Sequence, residues 1–343
     1  MTAGDWIELL VKIVVILLAF ITGFAYLTLF ERRVLAQMQN RVGPNRVGPG
    51  GILQPAADGV KLLFKEDIIP EKADKLIFIL APIVVVITAL LSLAVVPFGQ
   101  SITLFGRTIP LHIADINIAV LFFLGVGSLS VYGIVLAGWS SNNKYALMGA
   151  LRASSQMISY ELAMGLAALG VVMLAGSLSM VDIVNAQQGR WFIFLQPLGF
   201  MIFAITMVAE TKRAPFDLPE AEQEIVAGFH TEYSGMKFAM FYMGEYISLI
   251  VMSAVAATLY LGGWRAPIAA LDIPILGPVW LFLKIMVFLF VFIWLRASFP
   301  RLRYDRLMIV GWKILLPLAL MNLVITAVAV VGSDLGWFNF LTP

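Results

Sequence analysis

Residues 76–98 read LIFILAPIVVVITALLSLAVVPF, with no charged side chain anywhere in the run. As a helix rising 1.5 Å per residue, such a run reaches across the roughly 30 Å of hydrocarbon in a bilayer. The pattern recurs along the chain. Eight spans are expected, at about 6–30, 76–98, 116–139, 157–178, 192–211, 238–262, 279–297 and 309–332. The fourth is diluted at its start by Ser154, Ser155, Gln156, Ser159 and Glu161. The expected fold is an all-α integral membrane protein, one polytopic domain over 1–343. At 61% hydrophobic and 13% charged, against roughly 25% charged in soluble domains, the chain has no room for a sizeable soluble domain.

All eight tryptophans (Trp6, Trp139, Trp191, Trp264, Trp280, Trp294, Trp312 and Trp337) fall at proposed span ends, as interfacial indoles do. Lysine and arginine are strongly biased between the two faces. The odd-numbered connections carry 17 of them, eight in the first alone, whereas Arg107, Arg190 and Arg265 are the only ones in the even connections. The odd loops are therefore expected on the cytoplasmic side and both termini outside. Asp5 and Glu8 stand where a signal peptide needs basic residues, so the first run is expected to remain as a membrane helix. Lys12, Lys284 and Lys313 fall inside spans, close enough to span ends to snorkel to an interface.

The chain has no cysteine, which excludes cysteine-ligated iron–sulfur clusters and covalent haem. Its two histidines, His112 and His230, are expected on opposite faces, which argues against a bis-histidine haem. No metal site, no catalytic group within this chain alone and no nucleic-acid partner is expected. A redox role needs a diffusible substrate or partner subunits.

Between the fifth and sixth spans lies APFDLPEAEQEIVAGFHTEYSG, residues 214–235, with Asp217, Glu220, Glu222, Glu224 and Glu232 and no lysine or arginine. Glu161, Glu210 and Glu245 lie at or inside apolar runs. Carboxylates in a membrane cost roughly 2.5–3.5 kcal/mol each on insertion scales, so function is their default reading. Glu161 and Glu245 both fall about eight residues inside a cytoplasmic span end, or roughly 12 Å deep. Two acids at matched depth can face one polar cavity, with Tyr242 and Ser248 adding hydroxyls beside Glu245 and Glu210 linking the pair to the acidic loop. Desolvation would bring such groups into the range useful for proton exchange. The alternative is that each is a structural polar group at a helix contact.

In the first connection, Leu53, Ala56, Val60 and Leu63 fall at helical spacing, with Asp58, Lys61 and Lys65 on another face. That split predicts an amphipathic helix on the cytoplasmic membrane surface. It is either an anchor on anionic lipid or the lid of a site that an amphipathic ligand enters from the bilayer. The seventh connection, RASFPRLRYDR at 296–306, is an anchor on anionic lipid, a dock for an acidic partner or a wall of that site.

Four motifs carry a resemblance: Glu31-Arg32-Arg33; RVGPNRVGPGGILQPAADGVKLLFKE; ETKRAPFDLPEAEQEIVAGFHTEYSG; and RASFPRLRYDRLM. Together they resemble the quinone-site membrane subunit of respiratory complex I, the H subunit of bacterial NADH–quinone oxidoreductase, along the whole chain. Arg33 stands where some members have lysine, which keeps the charge. The resemblance implies eight membrane helices, a bacterial inner-membrane location and a proton-pumping enzyme complex with quinone as substrate. The FMN and iron–sulfur clusters would lie in partner subunits, in a peripheral arm on the cytoplasmic side, with antiporter-like subunits in the membrane. It also implies that Glu31, Arg32, Asp58 and Lys61 line a quinone chamber, with Arg296 and Arg301 close by. Glu161, Glu210, Glu220, Glu222, Glu224 and Glu245 match the acidic positions of a proton relay. Membrane subunits of related hydrogenase complexes share weaker forms of these motifs, and a stand-alone ion-coupled transporter is a third reading.

Overall fold

A computed structural model describes residues 3–104, 107–218, 226–268 and 271–336. Glu220, Glu222, Glu224 and Trp337 lie outside the described residues. Apolar sequence becomes helix almost throughout. The helices are α1 (Ala3–Met38), α2 (Gln54–Leu63), α3 (Lys75–Ser92), α4 (Ala119–Ser140), α5 (Lys144–Ala175) and α6 (Met180–Ala186). There follow α7 (Phe192–Leu195), α8 (Pro197–Glu210), α9 (Gly235–Tyr260), α10 (Gly277–Ser298), α11 (Tyr304–Ile309) and α12 (Leu316–Asp334). A π-helical stretch, Val310–Leu315, joins the last two. One antiparallel hairpin, β1 (Ile102–Leu104) on β2 (Arg107–Ile109), lies between α3 and α4.

Among the described residues seven segments are long and apolar enough to cross a membrane: 6–38, 75–95, 119–140, 144–175, 235–260, 274–298 and 304–333. The fifth expected span differs. Gln196, at φ −130 and ψ 60, breaks the helix before Pro197 and leaves α8 with 14 residues, about 21 Å. The fourth span differs too, since α5 starts at Lys144, well before the polar stretch expected to delay it. Asn143 caps it, accepting from the Tyr145 amide at 2.9 Å. Ser154, Ser155 and Ser159 donate to carbonyls of their own preceding turn, and Gln156 donates to Ala209 and Phe216, so none of them ends the helix.

The most enclosed helix is α9, packed against α3, α10, α8 and α1. Two glycines let it and α4 close on α3. A Cβ at Gly244 would fall 2.7 Å from Val85 Cγ1, and one at Gly133 would fall 2.5 Å from Val85 Cγ2. At the far end of α9, Lys284 of α10 does not snorkel as expected. It is 8% exposed, and its Nζ donates to the Leu261, Gly263 and Arg265 carbonyls at 2.6, 2.8 and 2.7 Å. Trp264 is buried there as well, whereas Trp6, Trp139 and Trp294 face outward.

Candidate functional site

The longest helix, α1, carries Glu31 past the apolar run and into the protein, where it is 4% exposed. A carboxylate cannot stay charged there unpaired. Three donors converge on it. Arg213 donates from Nη1 at 3.0 Å, Tyr246 donates its hydroxyl at 2.8 Å, and Arg296 of α10 forms an ion pair with it. The Arg213 Nε lies 2.7 Å from Glu245. Arg213 thus holds one carboxylate from α1 and one from α9. Burial opposes its charge, but Glu245 and Glu31 outweigh burial and raise its pKa well above the ordinary arginine value. Two carboxylates and two guanidiniums balance in sign, which is the condition for keeping four charges at this depth.

Glu31, Arg213 and Arg296 themselves line a cavity of only 10 Å³, and two larger ones lie nearby. The larger, 430 Å³, lies where α1, α2 and α9 meet; Phe24, Thr28, Pro55, Met236 and Met243 line it together with Arg32, Asp58 and Lys61. Asp58 accepts from Arg32 at 2.6 Å and from Gln54 at 3.1 Å. Leu53 and Val60 are exposed, and α2 gives the cavity a mixed wall, with Asp58 and Lys61 beside Leu62 and Leu63. The smaller, 50 Å³, is walled by Thr88, Ser92, Ser130 and Ser248 around Glu210, Lys212 and Glu245. That is room for a few waters. Across α1 from the larger cavity, an apolar groove of 470 Å³ runs between α1 and α10.

The structure brings together Glu31, Arg296 and Glu245, and separately Arg32, Asp58 and Lys61. Glu161 does not line the smaller cavity as its depth suggests. It accepts from Ser128 of α4, and Glu210 is the acid that shares the cavity with Glu245. Glu161 still stands near enough to Glu210 for their charges to interact. Ser248 lines the smaller cavity and Tyr242 the larger. Arg301 points elsewhere, donating to the Asp217 carbonyl, and Leu302 donates its amide to Pro215 at 3.1 Å, so the seventh connection grips the start of the acidic loop. The residue that sequence reasoning misses is Arg213. In sequence it reads only as a basic loop residue, and its one distinguishing signal is its place between a span end and an acidic loop.

Residues 11–327 match the family model described as NADH dehydrogenase. The chain is similar to an NADH-quinone oxidoreductase H subunit of Geobacter metallireducens, with 56% identity over 318 residues, 92% of this chain and 94% of that protein. It is similar to the H subunit of Thermomicrobium roseum, with 54% identity over 335 residues, 94% of this chain and 96% of that protein. The H subunit of Protochlamydia amoebophila is 54% identical over 306 residues, 89% of this chain and 92% of that protein. A multi-pass helical chain matched at this level over almost its whole length belongs to the NADH dehydrogenase family, among the H subunits of NADH–quinone oxidoreductase.

Proposed function

We propose that this chain is the membrane subunit of a proton-pumping NADH–quinone oxidoreductase, that it forms part of the quinone-reduction chamber, and that it couples quinone chemistry to proton movement. The observation that carries the reading is Arg213 gripping Glu31 and Glu245 at once, with a ligand-sized cavity on one side and a hydroxyl-lined acidic one on the other. A volume of 430 Å³ falls within the range of small-molecule sites. Its apolar wall suits an isoprenoid tail, and Arg32, Asp58 and Lys61 suit the approach of a quinone head.

Electrons would come from iron–sulfur clusters in a peripheral arm on the cytoplasmic side, fed through FMN, and two electrons with two protons convert quinone to quinol. Negative charge arriving on the head pulls on the Arg213 and Arg296 guanidiniums. At 10 Å and an effective dielectric constant of 20, one unit charge is worth about 1.7 kcal/mol, on the order of one pKa unit. That suffices to shift the proton balance of Glu31 and Glu245. The shift would pass to Glu210 and Glu161, with Glu220, Glu222 and Glu224 in the same relay, toward antiporter-like subunits. On the bias of basic residues, the working face would lie on the cytoplasmic side of a bacterial inner membrane, with both termini outside and anionic lipid beside the basic loops.

A photoreactive quinone analogue tests the site in the assembled complex. Labelling of α1, α2 and the first turns of α9, blocked by excess quinone, is the expected result. Competed labelling confined to other helices of this chain would overturn the chamber.

A further inference from the structure

The break at Gln196 lies inside the helical bundle, where interrupted backbone is tolerated only if protein or water meets its polar groups. Gln196 is 4% exposed, and it donates from Nε2 to Thr326 Oγ1 of α12 at 2.8 Å. Its other amide atom, the acceptor Oε1, has no hydrogen-bond partner among the described residues. One turn before Thr326, Asn322 is 5% exposed, and its donor Nδ2 is equally unpaired. An unmet acceptor and an unmet donor, each costing roughly 1–3 kcal/mol if left so, therefore occur side by side in one polar island.

The glycines around them show that both atoms come to one place, against the bare faces of two helices. A Cβ on Gly170 of α5 would stand 2.9 Å from Gln196 Oε1 and 3.2 Å from Asn322 Nδ2. One on Gly199 of α8 would stand 3.0 Å from each, and 3.5 Å from the Tyr260 hydroxyl of α9. Tyr260 donates that hydroxyl to the Ala167 carbonyl at 3.2 Å, so its oxygen keeps lone pairs to offer.

We infer that Gln196 Oε1, Asn322 Nδ2 and the Tyr260 hydroxyl form a binding site for one buried water, where Gly170 and Gly199 let the two amides approach. The chemistry selects the occupant. A cation would meet the Asn322 donor head-on, and an anion would meet the Gln196 acceptor. Only a small neutral molecule that both donates and accepts satisfies the pair. Water donates to Gln196 Oε1 and to Tyr260, and accepts from Asn322, making three contacts, the usual number for a buried water. The site ties α8, α9 and α12 together where α8 is interrupted. It lies about 14 Å along α5 from Glu161 and is independent of the charged cluster.

The test is a map of the assembled complex at a resolution that shows ordered water, for the wild type and for Gly170→Ala. The expected result is a single peak about 2.7–3.2 Å from both Gln196 Oε1 and Asn322 Nδ2 in the wild type. The same peak should be lost in Gly170→Ala, whose methyl would fall 2.9 Å from Gln196 Nε2 and Oε1 and push aside the amide that holds it. A direct Gln196–Asn322 hydrogen bond with no peak between them would overturn the inference, as would persistence of the peak in the Gly170→Ala protein. If Gly170→Ala fails to assemble, the wild-type map decides alone.

Discussion

The Arg213 guanidinium lies over the Tyr246 ring, 4.4 Å from its centroid, while the Tyr246 hydroxyl donates to the carboxylate of Glu31 that Arg213 also holds. One aromatic side chain thus fixes both partners of a buried ion pair. A guanidinium stacked on a ring and forked to two carboxylates has little freedom to leave, and a lysine cannot reproduce that geometry.

Arg213→Met should be the most damaging change in the chain. It strands Glu31 and Glu245, whose side chains are 6% and 14% exposed, without their shared cation. Breaking a buried pair costs about 3–5 kcal/mol. Thermal scans and yield of assembled complex should show a large loss, with Arg213→Lys assembling but slow. A Met variant as stable as the wild type would mean that the cluster is hydrated in the working complex.

Glu245→Gln should lose some stability but still assemble and bind quinone, because Arg213 keeps Glu31 and the amide oxygen can still accept from its Nε. Quinone turnover and proton pumping, measured in vesicles, should fall together, with Glu245→Asp milder. Since Glu161, Glu210 and Glu245 are read as one relay, adding Glu161→Gln to Glu245→Gln should cost much less than the two losses summed. Full proton-to-electron stoichiometry at normal turnover in the double variant would reduce the glutamates to structural groups.

Asp58→Asn should separate kinetics from stability. The Arg32–Asp58 pair is half exposed at Arg32, and such pairs are worth about 0–1 kcal/mol. The melting point should hardly move. Quinone-dependent turnover should drop while electron transfer to a hydrophilic acceptor in the peripheral arm continues. Unchanged quinone kinetics would leave α2 as a lipid anchor.

His112, in the connection before α4, gives a pH signature. Burial pushes its imidazole below the ordinary 6.5 and the Lys12 charge adds to that, with Asp115 opposing. A pKa lower in the folded state means that the unfolded chain binds more protons just below pH 6.5. This contribution to stability is complete above that ordinary value and is lost as pH falls toward the folded pKa. Melting curves between about pH 7.5 and 5 should fall on the acid side, and His112→Gln should flatten that limb. Equal acid sensitivity in both proteins would remove His112 as the cause.

Much of the fold is legible in the sequence because bilayer length and apolar composition leave few alternatives. Seven spans and the surface helix follow from runs and spacing, and the grouping of Arg32, Asp58 and Lys61 follows from the motifs that carry the resemblance. The early start of α5 is hidden because hydroxyls satisfied by their own helix look, in sequence, like a polar break. The short α8 is hidden because a hydropathy window passes over Pro197. Arg213 and Lys284 are misjudged for a common reason. Counting basic residues by face assumes that each one meets water or headgroups, and both instead find oxygen partners inside the protein. Pairing across 182 residues, as between Arg213 and Glu31, leaves no periodic trace.

The carbonyl cradle of Lys284 has a chemical corollary. With its Nζ held by three main-chain oxygens, 8% of the residue exposed and the ring of Trp191 4.7 Å away, its amine is out of an electrophile's reach. Acylating reagents added from either side of the membrane should modify the lysines of the loops and pass this one by. Its labelling would begin only when the end of α9 and the start of α10 part, so a single mass shift on one peptide would report the integrity of the bundle.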